Sequence, residues 1–467
     1  MIIHDSISYN VPVMMEFGQR LRTTLSQLGL NIIQSVATEA VARSLAIYMV
    51  GGFPRDLVLG APGGDMDLVV EGDAISLAHA LAAKYGGKIT AHRRFGTARW
   101  SLPGSTLWPA DPGDESSQTI AFPHQLDLIT ARRESYPRAG ALPQVGPGNI
   151  EDDLRRRDFT INTLAVRLDE PHFGWVRDDF CALDDLERGR IRVLHHLSFR
   201  DDPTRMYRAV RYEQRYGFRM VDDTRKLIET ARDLIPGLSA HRIRRELDLI
   251  LLEEHVVPTV QRLAALNLLR PIHKSLPGDR TALRRLATSG SAPERMTSRD
   301  SRLELGWLLW LLGLSTRQVN AIASRLQFGR SLTGSVVACA SLRRHLPKMV
   351  LWKPSRCTAY LTTIPAPAVQ AAMRTSPNKK EARLLEQYLT SWRFVRPTLT
   401  GHDLKKLGVV PGPVYEQILS DLRAAWLDGV IENTEQERQR VHSAIDRIRR
   451  RRGRKHISTS PGGGPGH

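Results

Sequence analysis

Residues 45–71 read LAIYMVGGFPRDLVLGAPGGDMDLVVE, and this stretch decides the fold of the first half of the chain. LAIYMV is a short apolar run stopped by Gly51-Gly52, which predicts a strand ending in a glycine turn. FPRDLVLG suits a short helix with Pro54 in its first turn, and DMDLVVE is a second strand whose leading residues are acidic. Outward from there come helical DAISLAHALAAKYGG (73–87), strand-like TARWSLP (97–103) and the strand HQLDLITAR (124–132), with a Pro/Gly/Ser-rich insert at 103–118. Upstream, residues 1–43 read as amphipathic helix. Together these elements predict an α/β or α+β domain.

From about Arg200 the spacing changes. RMYRAVRYEQRYGF (205–218), HRIRRELDLILL (241–252), TVQRLAALNLL (259–269) and LELGWLLWLLGL (303–314) carry apolar residues three or four apart, so the second half reads as nearly all helix. Residues 274–300 and 354–369 carry loop punctuation and mark candidate joints between helical modules. The end, RIRRRRGRKHISTSPGGGPGH, is a basic run followed by a glycine-rich tail expected to be disordered.

Composition narrows the function. A chain of 467 residues has room for about three domains, and its 41% hydrophobic and 25% charged residues exclude wholesale disorder. The net charge of +18 favours a polyanionic partner, nucleic acid or an anionic membrane. Cys181, Cys339 and Cys357 make no C-x-x-C pair, which argues against a disulfide framework or zinc cluster. The start MIIHDSISYN lacks signal-peptide order and no apolar run approaches about 18 residues, so a cytoplasmic chain that does not span a membrane is expected.

Asp65 and Asp67 stand two apart at the start of an apolar strand, where a period of two points both side chains to one face. Such a pair suits two Mg²⁺ ions that activate an attacking hydroxyl and stabilise a leaving pyrophosphate; a solvated strand end in a turn reads from the same residues. Gly51 and Gly52, between strand and helix, expose backbone N–H groups that can receive the phosphates of a nucleoside triphosphate, although a lone G-G is also an ordinary turn. The D-x-D pair some thirteen residues further on strengthens the phosphate reading. Asp127 is a charge in a strand otherwise built for burial, available to complete a metal site or to pair with Arg132 or Arg133.

GGFPRD followed by DMD, then RRDFTIN (156–162), then DDPTRMYRAVRY (201–212) resemble, in order and spacing, the bacterial type of the tRNA nucleotidyltransferase and poly(A) polymerase family, the class II branch of the polymerase-β-like superfamily. The match runs over roughly residues 45–250, and GHDLKKLGVVPGPVYEQIL (401–419) is similar to the tail of many tRNA-processing members. The resemblance implies an α+β polymerase-β-like head with a mixed sheet, followed by an all-α neck, body and tail. It divides the chain into a catalytic head (1–197), a base-recognising neck (198–262), a body (263–395) and a tRNA-binding tail (396–467).

It also implies roles. The metal aspartates fall on Asp65 and Asp67 and the triphosphate turn on Gly51, Gly52 and Arg55. The third strand carboxylate falls on Asp127, a phosphate-contacting arginine on Arg132, and the sugar and phosphate contacts on Arg156, Arg157 and Asp158. The base-reading motif falls on Asp202 and Arg205, which three apart on one helix would lie side by side, with Arg208 one turn further; a helix N-cap at Asp202 and a helix ion pair at Arg205 read from the same residues. In the hinge motif Asp178 matches, but Ala182 stands at the glycine position. The implied activity is template-independent addition of CCA to the 3′ end of tRNA from CTP and ATP with Mg²⁺ (Mn²⁺ also fitting) and release of pyrophosphate. An A-only-adding enzyme or a poly(A) polymerase is the alternative on the same fold, and a noncatalytic RNA-binding protein the alternative from another class. The partner is tRNA, with no membrane and no DNA expected. HRIRRELDLIL, LRRLA and residues 447–455 are candidate phosphate contacts, and a helix starting near Pro413 offers another seat.

Overall fold

The computed structural model describes residues 11–60, 66–102, 124–288 and 298–457, the side chains of 11–16 and 448–457 excepted. Asp65, the Pro/Gly/Ser-rich insert and the glycine-rich end lie outside the described residues. The chain divides into two compact units, Met1–Lys274 and Ser275–His467, the division falling where the first predicted joint begins.

In the first unit, helices α1 (Val11–Thr24) and α2 (Gln27–Val41) precede β1 (Ala46–Val50). Residues 1–43 were expected to form one amphipathic stretch; within the described residues the helix is interrupted at Leu25-Ser26, because the Ser26 side chain accepts Gly29 N–H and starts a new helix. α3 (Gly52–Val58), β2 (Asp67–Glu71), α4 (Ala74–Tyr85), β3 (Lys88–His92), β4 (Thr97–Ser101) and β5 (Gln125–Thr130) follow. Then come the hairpin β6 (Arg132–Ser135) and β7 (Gln144–Pro147), helix α5 (Ile150–Arg155), and strands β8 (Ala165–Arg167) and β9 (Val176–Arg177). The seven-stranded sheet runs β3-β4-β5-β2-β1-β8-β9 and is mixed: β2 and β5 are parallel and the other neighbours antiparallel.

Strand alternation buries both faces. Ile47, Met49, Leu68 and Val70 are fully buried, and α4 packs on the sheet with Leu77 and Leu81 inward. Asp73 holds the start of α4 by accepting Ile75 and Ser76 N–H at 3.0 and 3.1 Å. On the opposite face Tyr48, Val50 and Val69 pack with Ile150, Leu154 and Ala165. Asp67 lies two residues before Val69, so it shares that second face at the end of the strand.

The rest of the unit is helical: α6 (Ala182–Glu187), α7 (Ser198–Asp201), α8 (Arg205–Tyr216), α9 (Asp222–Ala231), α10 (Ala240–Leu251) and α11 (Val256–Ala265), with short strands β10 (Arg190–Ile191) and β11 (Arg219–Met220) pairing in parallel.

The second unit consists, among the described residues, of helices and their connections: α12 (Arg280–Ala287), α13 (Arg299–Leu311), α14 (Thr316–Leu326), α15 (Arg330–Met349), α16 (Pro354–Thr362), α17 (Ala366–Thr375), α18 (Lys379–Thr390), α19 (Gly401–Lys406), α20 (Pro413–Leu427) and α21 (Thr434–Ile457). Residues 354–369, expected as a joint, hold α16 and the start of α17. Their prolines sit in or just before first helical turns, where a missing N–H breaks no helical hydrogen bond. Trp307 and Trp310 are stacked with centroids 5.4 Å apart, and Trp310 Nε1 donates to Pro277 O at 2.7 Å. The end of the chain has its own apolar cluster around Leu404, Ile418, Leu422 and Val441, beside which buried Glu437 accepts the Thr398 hydroxyl and the Thr398 and Leu399 N–H groups. Among the described residues no helix is long and apolar enough to cross a membrane.

Candidate functional site

A cleft of about 800 Å³ in the first unit collects most of the predicted site residues. Gly51, Gly52, Arg55, Asp67, Arg132, Arg156, Arg157, Asp158, Asp202, Arg205 and Arg208 all line it. Nine arginines face six carboxylates there, an excess of positive charge suited to a polyphosphate.

The glycine turn forms the first wall. Gly51 has φ +79°, a conformation that L side chains rarely adopt, and a Cβ added there would stand 3.0 Å from Arg157 Nη1 and 3.5 Å from Asp67 Oδ2. Glycine thus lets a strand carboxylate and an arginine approach the same turn. Arg55, expected to contact phosphate, is buried with all its nitrogens engaged: Nε and Nη2 donate to Asp56 at 2.8 and 3.0 Å, and Nη1 to Asn162 Oδ1 at 2.6 Å. Its guanidinium lies 4.8 Å from the Tyr216 ring centroid, which makes it an organiser of the cleft wall.

Arg156 and Arg157 follow α5, which is fixed by a capping box between Asn149 and Asp152. Both hold fully buried Asp153: Arg156 Nη2 donates to Oδ1 at 2.7 Å and Arg157 Nη2 to Oδ2 at 2.9 Å. Burial would raise the Asp153 pKa, but the two guanidinium groups outweigh it and hold the carboxyl below its ordinary value. Arg157 Nε is buried without a partner, and its guanidinium is the one beside the glycine turn. Arg132 Nη2 and Arg156 Nη1 meet at Glu134 Oε1, at 2.9 and 3.2 Å, so one acid holds two cleft arginines.

Asp67 and Asp127 are register partners on parallel β2 and β5 and share one face. Asp127 was expected to bind metal or to pair with Arg132 or Arg133. Instead Arg99 Nε and Nη2 donate to its two oxygens at 2.7 and 2.8 Å, because antiparallel β4 places Arg99 opposite it while Arg132 has moved onto β6. Among the described residues no group of three or more His, Cys, Asp or Glu could hold a metal. The oxygen donor of Asp67, beside the space left open at Gly51 and within an arginine-rich cleft, suits a hard divalent cation such as Mg²⁺ or Mn²⁺; Asp65, the other ligand expected from the sequence, lies outside the described residues.

The opposite wall comes from the helical part and meets Asp158 of the R-R-D segment. Asp158 Oδ2 accepts Arg208 Nε at 2.6 Å, and Oδ1 accepts Phe159 N at 2.9 Å and Asn162 Nδ2 at 2.8 Å. Burial would raise the Asp158 pKa, but Arg208 and these donors hold it at about 2. Asp202 and Arg205 were read as neighbours on one helix. In the structure α8 begins at Arg205, and Asp202 is extended (φ −136°, ψ 96°) because the following Pro203 disfavours the helical region for the residue before it. Asp202 Oδ1 accepts Thr204 N at 2.9 Å and the Thr204 hydroxyl at 2.6 Å, close to the cap reading. Arg205 donates to Ser198 Oγ and to Arg156 O, both at 2.8 Å, tying the start of α8 to α7 and to the R-R-D segment.

At the hinge motif, Asp178 accepts Ala182 and Leu183 N–H at 2.6 and 3.0 Å, and Cys181 takes the left-handed conformation (φ +57°) before α6. Sequence reasoning did not single out Asp56, Glu134, Asp153, Asn162 or Tyr212. Each holds an arginine or its partner, some from the adjoining residue or turn, as Asp56 with Arg55 and Asp153 with Arg156 and Arg157, and some across the fold, as Asn162 with Arg55 and Glu134 with Arg156. Arg242, Arg245 and Glu246, which also line the cleft, fall in the basic stretch read only as a phosphate contact.

A family model described as the poly A polymerase head domain matches residues 47–192. A second, described as "Probable RNA and SrmB- binding site of polymerase A", matches residues 217–278. The A-adding tRNA nucleotidyltransferase of Halalkalibacterium halodurans is 30% identical over 416 residues, covering 88% of this chain and 91% of that protein. The chain belongs to the tRNA nucleotidyltransferase and poly(A) polymerase family. A further relative in this family of enzymes, the A-adding tRNA nucleotidyltransferase of Geobacter sulfurreducens, is 32% identical over 449 residues, or 91% of this chain; the chain spans only 48% of that protein's length. The family fold is equally plain in a solved CCA-adding enzyme in an apo form, which matches with TM-score 0.73 and 25% identity over 91% of this chain and 98% of its own.

Proposed function

We propose that this chain transfers a nucleotidyl unit from a nucleoside triphosphate to the 3′ end of a tRNA. The observation that carries this reading is the convergence in one cleft of a glycine turn, a strand carboxylate and buried arginines with Asp202 and Arg205 on the facing wall. The terminal 3′-hydroxyl attacks the α-phosphorus, the bond to the bridging oxygen breaks, and pyrophosphate leaves. Arg157 and Arg132 neutralise the triphosphate, Arg55 and Asp153 keep the cationic wall in place, and Asp202 with Arg205 meets the base. A divalent cation held by Asp67 and Asp65 would supply Lewis-acid activation of the hydroxyl and charge neutralisation. Asp127 flanks that position as a secondary carboxylate.

Terminal A addition is supported by the two relatives at 30% and 32% identity, both A-adding enzymes. Addition of the whole CCA end, the reading the motifs gave first, is supported by the fold match to a CCA-adding enzyme. Three tRNA transcripts, ending before CCA, after C and after CC, separate the two when incubated with CTP, ATP or both. Extension of the CC-ending transcript alone, by one A, establishes the A-adding reading, whereas completion of all three establishes the CCA-adding one. No incorporation on any transcript sinks both and favours a noncatalytic RNA binder. Titration of tRNA binding against salt adds an independent check, since phosphate contacts predict a steep fall in affinity.

A further inference from the structure

Arg242 belongs to none of the motifs that carry the family resemblance, yet it reaches the centre of the cleft. It stands on α10 one turn before Arg245 and Glu246 and two turns before Leu249, and all four line the cleft. Its Nη2 donates to Asp202 Oδ1 at 2.5 Å and its Nη1 to Gly140 O at 2.7 Å. The Thr204 N–H and hydroxyl go to the same Oδ1, so three donors converge on one oxygen and Oδ2 keeps its acceptor capacity for a base. The segment is clasped from its other side as well. Gly140 N donates to Arg200 O at 3.0 Å, and the position of a Gly140 Cβ lies 3.6 Å from Pro203.

We infer that Arg242 is a positioning residue for base selection: by holding Asp202 Oδ1 against the 136–143 loop it fixes which carboxylate oxygen is offered beside Arg205. This rests on the reading that Asp202 and Arg205 meet the base. Adenine presents an amino donor next to a ring-nitrogen acceptor, complementary to a carboxylate oxygen beside a guanidinium. Guanine presents an oxygen acceptor next to an N–H donor, the reverse order. If the carboxylate can rotate or withdraw, that complementarity is lost while the triphosphate contacts remain. Cytosine shares adenine's order, so ATP against GTP is the informative pair.

The test measures direct binding of ATP and GTP to the full chain, together with single-nucleotide KM and kcat on a CC-ending transcript, for wild type, Arg242→Ala, Arg242→Lys, Asp202→Ala and the double alanine variant. Loss of one charge-assisted hydrogen bond predicts that Arg242→Ala lowers the ATP-to-GTP preference roughly 10- to 100-fold, chiefly through ATP affinity and KM. Lysine, reaching one acceptor in place of two, retains part of it. The arginine's effect should vanish when Asp202 is already alanine. An unchanged preference, or effects that simply add, overturns the inference. If Asp202→Ala itself leaves the preference intact, the base-reading role of Asp202 fails and the inference with it. If Asp202→Ala abolishes the preference and Arg242→Ala does not, only the positioning role fails. Thermal unfolding checks each variant, and Arg242→Lys carries the test if the alanine variant does not fold.

Discussion

The two walls of the cleft hold their groups by different means. On the head wall, Gly51 and Asp67 are placed by backbone register: a turn at φ +79° and the end of a strand paired on both sides. On the facing wall, groups are held by contacts over long separations: Asp202 by Arg242 forty residues away, Arg205 by the Arg156 carbonyl forty-nine away, Arg208 by Asp158 fifty away. The difference predicts different sensitivities. Register-placed groups can lose their chemistry while the fold survives, whereas a group inside a charge network takes stability with it when removed.

The sharpest way to break the comparison is Asp67→Asn. Asp67 is the first residue of its strand, at the cleft, and is only part-buried, so the substitution should leave the melting temperature near wild type. Incorporation on a CC-ending transcript should fall on the order of 10²- to 10³-fold, the range for losing one group that stabilises transition-state charge. Single-turnover assays at saturating Mg²⁺ measure it. An unchanged rate would remove the head wall from the chemistry.

The same division decided what the sequence could convey. β1, α3, β2, α4, β4 and β5 stand where alternation and glycine punctuation put them, because each is buried on at least one face and bounded by turn residues. β3 gave no such signal: it is an edge strand whose residues are mostly exposed, so no apolar alternation marks KITAH. Among site residues, Gly51, Gly52 and Asp67 were readable from local chemistry, and Arg156, Arg157, Asp158, Asp202, Arg205 and Arg208 from the resemblance. Their partners were not. Nothing near Asp127 points to Arg99, twenty-eight residues earlier, until the β4–β5 register is known. Pro203 was the local clue that Asp202 and Arg205 do not share a helix.

Asp158→Asn probes the network that joins the two walls. The Asp158 pKa lies at about 2, below its ordinary 3.8, so its contribution to stability is fully present above about pH 4 and disappears as pH falls through 2. That depression corresponds to about 2 kcal/mol at neutral pH, and the loss of the charge facing buried Arg208 adds to it. Urea unfolding should therefore show the asparagine variant less stable at pH 7, with the gap to wild type narrowing below pH 4. A gap that does not change with pH would mean that the charge of Asp158 is not what holds the two segments together.

Asp127 crosses the division, and the smallest effect tests it. Register places it beside Asp67 on the head wall, yet a side-chain partner, Arg99, occupies both of its oxygens. The pair is solvent-accessible, with Arg99 53% and Asp127 30% exposed, so Arg99→Ala should cost no more than about 1 kcal/mol. Removing the arginine leaves the Asp127 carboxylate without its cation next to Asp67. The Mg²⁺ concentration giving half-maximal incorporation should therefore fall in Arg99→Ala, modestly, because the added charge acts across a partly solvated strand edge. A fall would show that register alone delivers Asp127 to the cation and that Arg99 restrains it. An unchanged requirement would make Asp127 a cross-strand partner of Arg99, and the head wall would then rest on the D-x-D pair.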